Sequence, residues 1–430
     1  MEMHHESVEC FLDKTHLFQP AVFQNQVKGS NWEEVDALNL KTADTLKFMI
    51  QGNTHFIDLS NTLLELRLKI VEGNGDAIAD TANCAPVNCP GLAIFSQLRV
   101  KIGDDILATE NNYNTAAMMQ TEYSLSDSAK RGYLTSSCYV KDTPGQQDIM
   151  TAANAGFTAR KAMFAESREV TVYSKVHSGI FNINKLLVNN VDLTLEFDVD
   201  KNAKTIMAPV GSTFRLVIVK AAIKIRRVEL AEGKVVEINN KLTKMPAIYH
   251  VPRSIVTTHT IGSGNLTFKL PNFNTGDIPS RIFIALMSSE RWSGVYKLNN
   301  YKYEHFDLTE VDIKVDGRSK FGKAIKANFA KQDYNEIYLN TMQALGQFGG
   351  PFSNDLSYND FGNGHTLIGC ELTSSFGEDA QYRDPIKTGN MELLLTFAAA
   401  LDEAVDVIIY RDFENSFEIN SDRKVSKDWQ

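Results

Sequence analysis

Apolar and charged residues alternate along Leu64-Glu65-Leu66-Arg67-Leu68-Lys69-Ile70, the mark of an antiparallel strand with one face in a core and the other in water. The run ends at Gly73-Asn74-Gly75-Asp76, a turn sequence. The same period of two recurs at Leu98, Val100 and Ile102, and again at Val191, Leu193, Leu195, Phe197 and Val199, where Asp192, Glu196 and Asp198 take the other parity. Further along it marks Leu266, Phe268 and Leu270, then Val311, Ile313 and Val315. Leu216 to Val219 and Arg281 to Met287 are apolar on both parities, which predicts strands covered on both faces, inside a sandwich or against a neighbouring subunit. The apolar parity switches between Ile218 and Ala221 and predicts a β-bulge there. Helical spacing is confined to short patches at Asn111 to Tyr123, Asn335 to Leu345 and Ala231 to Pro246.

These patterns occur twice. Val191-Asp192-Leu193-Thr194-Leu195-Glu196-Phe197 returns as Met391-Glu392-Leu393-Leu394-Leu395-Thr396-Phe397, a displacement of 200 residues (393 − 193). Gln97 to Asp104 has its partner in Glu310 to Gly317, a strand closing on a Gly/Asp turn, and each is followed by one of the short helical patches. A repeat of this length implies two tandem copies of one domain. Many strands, few helices and no βαβ alternation place both copies among sandwiches and barrels, and about eight strand candidates in each copy match a jelly roll. Long interruptions at Gly73 to Gly91, Thr121 to Arg168 and Leu345 to His365 are of the length that carries function or contacts. The expected fold is all-β: two tandem eight-stranded jelly rolls with short helices in the loops.

Composition narrows the classes further. A chain of 430 residues is long enough for two full cores, and a net charge of −9 argues against a protein that coats nucleic acid over its whole surface. The five cysteines (Cys10, Cys84, Cys89, Cys138 and Cys370) show neither CxxC spacing nor an even framework, which favours reduced structural thiols. Met1 to Glu6 lacks the form of a secretory signal, and apolar runs such as Leu395 to Leu401 are too short to span a bilayer, so a soluble protein of a reducing compartment is expected. The sequon Asn265-Leu266-Thr267 then carries no modification.

Candidate chemistry is thin. Gly317-Arg318-Ser319-Lys320-Phe321-Gly322-Lys323-Ala324 fits a phosphate-binding loop up to its last position. There Ala324 has no hydroxyl for Mg²⁺, and the strand before it belongs to an antiparallel pattern, so an ordinary basic surface turn is the better reading. A cupin-type metal centre on a jelly roll needs a His-x-His pair with further ligands on facing strands. The nine histidines (His4, His5, His16, His55, His177, His250, His259, His305 and His365) offer none. No nucleophile elbow, HExxH or EF-hand pattern occurs, and no catalytic, cofactor-binding or metal-binding residue is expected. Two basic stretches, Arg318, Lys320, Lys323, Lys326, Lys331 and Lys220, Lys224, Arg226, Arg227, could face polyanion or an acidic neighbour. A solvated face balanced by acids elsewhere is the more ordinary account.

Phe56-Ile57-Asp58-Leu59-Ser60-Asn61-Thr62 leading into Leu64 to Ile70, and His305-Phe306-Asp307-Leu308-Thr309-Glu310 leading into Val311 to Gly317, resemble segments of the double jelly-roll major capsid proteins of Polinton/Maverick elements and adintoviruses. Gly389 to Leu393, Val405 to Tyr410, Phe413 to Asn415 and Phe417 to Ile419 are similar to the ending of those proteins, and the resemblance runs from about Asn53 to Val425. It implies a structural protein with no active site, whose mechanism is self-association. Three chains would join as a homotrimer, a six-lobed pseudo-hexameric capsomer, to tile an icosahedral shell around double-stranded DNA. The expected partners are the chain itself, a penton single jelly-roll protein and minor capsid proteins, with little or no sequence-specific nucleic-acid contact and membrane contact left open. The location is the virion capsid, assembled inside the host cell. Residues 1–44 are expected to be an N-terminal arm, 45–232 the first jelly roll, 233–246 a connecting helix, 247–420 the second jelly roll and 421–430 a tail. Competing readings are a tandem jelly-roll carbohydrate-binding protein, with Trp292, Tyr296, Tyr301 and Tyr303 as a stacking surface, and a bicupin-type enzyme.

Overall fold

A computed structural model of the chain describes residues 23–40, 44–349, 353–373 and 385–429. The first half contributes β1 (Val27–Asp36), β2 (Thr45–Ile50), β3 (Phe56–Val71), β4 (Ala85–Pro86), β5 (Phe95–Ile102), β6 (Asp105–Asn111), β7 (Val170–Lys175), β8 (Leu193–Val199), β9 (Ile206–Met207) and β10 (Arg215–Leu230). The second contributes β11 (Ala247–Ile261), β12 (Thr267–Asp277), β13 (Arg281–Ser288), β14 (Leu308–Val315), β15 (Arg318–Ser319), β16 (Ile325–Lys326), β17 (Leu367–Glu371), β18 (Thr388–Phe397), β19 (Val405–Ile419) and β20 (Val425–Lys427).

The sheet orders are the same in the two halves. In the first, β1-β10-β3-β7 faces β2-β8-β5-β6; in the second, β11-β19-β13-β17 faces β12-β18-β14-β15, with β16 beside β14. Each half is an eight-stranded antiparallel jelly roll of two four-stranded sheets, so the fold is a double jelly roll. The repeated sequence segments fall on corresponding strands, β5 with β14 and β8 with β18. Alternation sets the faces: Leu64, Leu66, Leu68 and Ile70 of β3 and Leu193, Leu195 and Phe197 of β8 are fully buried, while Arg67 and Lys69 reach toward Glu169 at the surface. The expected bulge appears as a register shift between Ile218 and Lys220, where β10 pairs with β3.

Antiparallel strands sort the connections to two ends. The turns after β2, β5 and the segment before β8 meet at one end, where Gly103 N donates to Asp192 O at 2.8 Å and Gly52 N to Asp192 Oδ1 at 2.7 Å. The second half repeats this, with Asp316 N donating to Asn390 O at 2.9 Å and Ile278 N to Lys387 O at 2.7 Å. The start of β1 and the end of β10 also lie there, since Val27 pairs with Leu230. The long connections that follow β6, β13 and β16 leave from the opposite end. They carry short helices, among them Tyr113–Met119, Ala155–Met163 and Asn335–Ala344, and they meet there, with Lys141 Nζ 3.0 Å from Asp360 Oδ2.

Five expectations need correction. The arm assigned to residues 1–44 contains β1, which pairs with β10 from Val27 to Asp36 and so forms an edge of the first jelly roll. Its Lys-Gly-Ser-Asn-Trp-Glu-Glu sequence lacks apolar alternation because it is exposed on both faces at most positions. The tail assigned to 421–430 contains β20, which extends the second jelly roll by pairing with the end of β19. Leu266 lies just ahead of β12 and is 48% exposed, so its place in the alternating pattern does not bury it. Of the two segments apolar on both parities, Arg281–Ser288 is buried from Ile282 onward, whereas Val217, Ile218 and Val219 are half-buried. The helix between the halves forms at Glu232–Leu242; Val235 and Ile238 rest against Phe56, Val228 and Leu230, and Met245 beyond its end is exposed.

Candidate interaction surfaces

The two halves meet along a seam in which each core borrows residues from the other. Tyr249 and Val251 of β11 and Phe417 and Ile419 of β19 belong to the core of the first jelly roll. Ala116, Met119 and Tyr123 of the first half belong to the core of the second. At the short-turn end the seam is apolar and tight. Tyr249 stacks on Phe417 with ring centroids 4.8 Å apart, and its hydroxyl donates to Leu186 O and accepts from Val188 N, each at 3.1 Å. The turn Gly179–Asn182 lies so close to β11 that a Cβ on Gly179 would fall 1.9 Å from Pro252 O. Arg423 donates to Asn189 O at 2.9 Å and to its Oδ1 at 2.8 Å, and Lys427 Nζ donates to Ile106 O of β6 at 3.3 Å.

At the long-loop end the seam is ionic. Arg291 donates to Asp148 at 2.6 Å and Lys302 to the same carboxylate at 2.9 Å. Lys130, buried beside Tyr139, donates to Asn354 O at 2.6 Å and also to Glu122 O. Burial alone would push the Glu122 carboxyl up, but Lys130, His365 and Tyr139 around it hold it below its ordinary value. Arg160, fully buried, binds Pro86 O, Asn88 Oδ1, Val140 O and Asp142 Oδ1 at 2.8–2.9 Å, while Asn299 from the second half donates to Asp142 at 3.2 Å. A loop end tied by buried charge pairs has a fixed shape, since each charge is costly to leave unpaired. Between the two ends the seam holds a partly open cavity of about 520 Å³, lined by Met119, Gln120, Tyr123, His177, Phe283 and Tyr410 among others.

The candidate chemistry of the sequence is dispersed by this architecture. Gly317 to Ala324 is a hairpin turn, with Val315 paired to Arg318 and Lys314 to Ser319, and so offers no helix N-terminus to a phosphate. His177 and His365 lie in the seam, His55, His259 and His305 are half-buried elsewhere, and His250 is exposed on β11; His4, His5 and His16 fall outside the described residues. Among the described residues, no group of three or more His, Cys, Asp or Glu could hold a metal ion. Cys84, Cys89, Cys138 and Cys370 are buried thiols, and burial raises the pKa of each; Cys10 lies outside the described residues. Tyr303 is buried, and Trp292, Tyr296 and Tyr301 pack against the cores, so they do not form an open stacking platform.

The two basic stretches differ. Lys220 pairs with Glu34 and with Glu65 at 3.1 Å, Lys224 with Glu65 at 2.6 Å, Arg226 with Asp58 at 3.8 Å and Arg227 with Glu33 at 2.6 Å. The Lys224 and Lys220 ammoniums hold the Glu65 carboxyl down to about 2. That stretch is a neutralised sheet face. Arg318, Lys320, Lys323, Lys326 and Lys331 are exposed along the free β15–β16 edge. Sequence reading missed the seam itself, because contacts between distant segments leave no local period; the apolar, two-faced run at Arg281 to Met287 was its one visible sign.

No family model matches the chain. It is 21% identical over 416 residues to a Caenorhabditis elegans protein, "Uncharacterized protein F54H12.2", with 92% of this chain and 96% of that protein covered. Among solved structures it is similar to the cryo-EM structure of the Sputnik virophage, with a TM-score of 0.64 at 13% identity over 98% of this chain and 92% of that one. It is also similar to the Faustovirus major capsid protein (TM-score 0.59, 9% identity, 94% and 93% covered) and the mavirus major capsid protein (TM-score 0.55, 10% identity, 100% and 96% covered). At these identities the likeness is one of fold, and it spans both jelly rolls: the chain has the double jelly-roll fold found in these capsid structures.

Proposed function

We propose that this chain is a major capsid protein, a structural subunit that trimerises into pseudo-hexameric capsomers tiling an icosahedral shell around double-stranded DNA. The observation that carries the reading is one jelly-roll topology built twice in one chain, with the two copies side by side and the long loops of both at one end. Three such chains present six similar lobes, while the two copies remain free to diverge for unequal contacts. Full-length likeness to capsid structures supports it. The segments between about Asn53 and Val425 that resemble Polinton/Maverick and adintovirus capsid proteins support an element of that type as its source. On this reading the protein works by burying interface area in the virion after assembly in the host cell, and a penton single jelly-roll protein and minor capsid proteins complete the shell.

Light scattering with negative-stain microscopy on the purified chain tests this. Triangular or hexagonal blocks, or closed shells, are the expected result; a compact monomer at every concentration overturns the reading. The segment of residues 1–22, with Phe11, Leu17, Phe18 and Val22 spread through polar sequence, lies outside the described residues, and its proposed role is contact with a neighbouring copy in the shell. Its deletion is expected to leave the fold intact and block closed-shell formation, and unchanged shells by microscopy would refute that role.

A further inference from the structure

At the loop end of the seam a second cavity, of about 20 Å³, lies between the two halves. Glu122, Asp142 and Gln147 of the first half and Asn299, Tyr303 and His365 of the second stand in its wall, so it takes shape only when the halves dock. Backbone contacts fix both sides of it. Tyr303 N donates to Gly364 O at 2.9 Å and Thr366 N to Tyr303 O at 3.1 Å. From the first half, Gly145 N and Gln147 Nε2 donate to Asn363 O at 3.0 Å and 2.8 Å.

Three wall residues carry buried polar atoms that nothing in the protein satisfies. The Tyr303 hydroxyl, Gln147 Oε1 and His365 Nδ1 have no hydrogen-bond partner among the described residues, although these residues are only 1%, 2% and 6% exposed. Buried polar atoms without a partner are rare in folded proteins. Three of them around one space point to a bound group that completes them. His365 Nδ1 also stands 3.7 Å from Glu122 Oε1, too far for a direct hydrogen bond and the separation at which a bridging molecule is expected.

Volume and charge decide what that group is. A space of about 20 Å³ admits one water-sized molecule and nothing larger. Both carboxylates in the wall are already answered by cations of the chain, Asp142 by Arg160 at 2.8 Å and Glu122 by Lys130 at 3.9 Å. Tyr139 donates to Glu122 as well, at 2.9 Å. The occupant is therefore neutral. It must also donate and accept together, because Gln147 Oε1 and Glu122 Oε1 only accept while the Tyr303 hydroxyl and a His365 N–H donate.

We infer that one ordered water molecule is bound here as a bridge between the halves, donating to Gln147 Oε1 and Glu122 Oε1 and accepting from the Tyr303 hydroxyl and His365 Nδ1–H. Two of its partners belong to each half, so the water is a shared part of the seam. Four hydrogen bonds are the full complement of a buried water. The inference stands apart from the assembly proposed above and holds for a single chain.

A crystal structure of the full chain, or a reconstruction of an assembled form, in which ordered solvent is visible tests it. The expected result is a single peak of a water's strength, about 2.7–3.2 Å from at least three of these four atoms. A cavity without such a peak, side chains that close directly on one another, or an ion with contacts of about 2.0–2.6 Å overturns the inference. Tyr303→Phe keeps the ring and removes one donor. It should weaken or abolish the peak, and magnetic relaxation dispersion of water deuterons should show the loss of one long-lived water. Gln147→Met removes an acceptor from the other half and should do the same, which keeps the test open if Tyr303→Phe fails to fold. Variants that retain the peak and the wild-type dispersion overturn the bridge.

Discussion

Arg160 places a full positive charge at a position with no exposed surface, and its guanidinium reaches four acceptors from two segments of the first half. One of them, Asp142, is itself 5% exposed and holds Asn299 of the second half, so the cation organises a loop end it never shows to solvent. Arg160→Leu would leave Asp142 buried without its cation, a change expected to cost about 3–5 kcal/mol. Chemical denaturation measures it, and a loss below about 1 kcal/mol would mean the loops are held by something else.

Two other buried groups in the seam have opposite pH signatures. Burial raises the Glu110 carboxyl to about 7, with only Ser178 and Arg253 pulling the other way. Burial, with Lys175 nearby, lowers the His177 imidazole to about 4. For Glu110 the folded state holds a proton that the unfolded chain releases, so its contribution is fully present below pH 4.5 and is lost as pH rises toward 7. For His177 the unfolded chain takes up the proton first, so stability falls as pH drops from 6.5 toward 4. The two slopes oppose each other over nearly the same window and largely cancel in the wild type. Glu110→Gln should therefore expose a thermal midpoint that falls on acidification below pH 6.5. His177→Gln should expose one that falls as pH rises from 4.5 to 7. Identical pH profiles for the two variants would contradict this assignment.

At the scale of elements, alternation was a reliable guide wherever one sheet face met a core. Leu64 to Ile70, Leu98 to Ile102 and Leu193 to Phe197 lie as expected, because a one-residue slip would turn every apolar side chain to water. The bulge after Ile218 was legible for the same reason: a parity switch within a continuous strand requires an extra residue. The first and last strands were not legible. An edge strand paired on one side and wet on both faces, such as β1, has no periodic constraint, and β20 is three residues long. The candidate surfaces were illegible except as charge: Arg318 to Lys331 stands out in the sequence, but the neutralisation of Lys220 to Arg227 by Glu34, Glu65, Asp58 and Glu33 depends on strands far apart in the chain. Gly179 is similar. Nothing beside it in sequence demands glycine, yet Pro252 O occupies the place of a Cβ. Gly179→Ala must push the Gly179–Asn182 turn off β11, at a cost of about 1–3 kcal/mol for an overpacked contact. An unchanged thermal midpoint would show that the turn has room to retreat.

At the scale of the whole molecule the question is whether two jelly rolls joined by a short helix behave as two folding units. Repeat architecture alone suggests that they do, since each half has its own pair of sheets and its own core. The seam argues the reverse. Unfolding the second half alone would remove Tyr249, Val251, Phe417 and Ile419 from the core of the first, and exposing such side chains costs about 1.5–3 kcal/mol each. The sum, on the order of 10 kcal/mol, is comparable to the whole stability of an ordinary domain. It is joined by the buried charges at the loop end, where Asp148 would lose both Arg291 and Lys302. Neither half then keeps a folded state of its own once the other has opened, and calorimetry on the full chain should record one transition with equal calorimetric and van't Hoff enthalpies. Tyr249→Ala is the sharper form of the test. Removing the stacked ring and its two hydrogen bonds should lower that midpoint for the whole chain, whereas a second, separate transition in either protein would mean that the seam is a contact between independent domains and not part of a shared core.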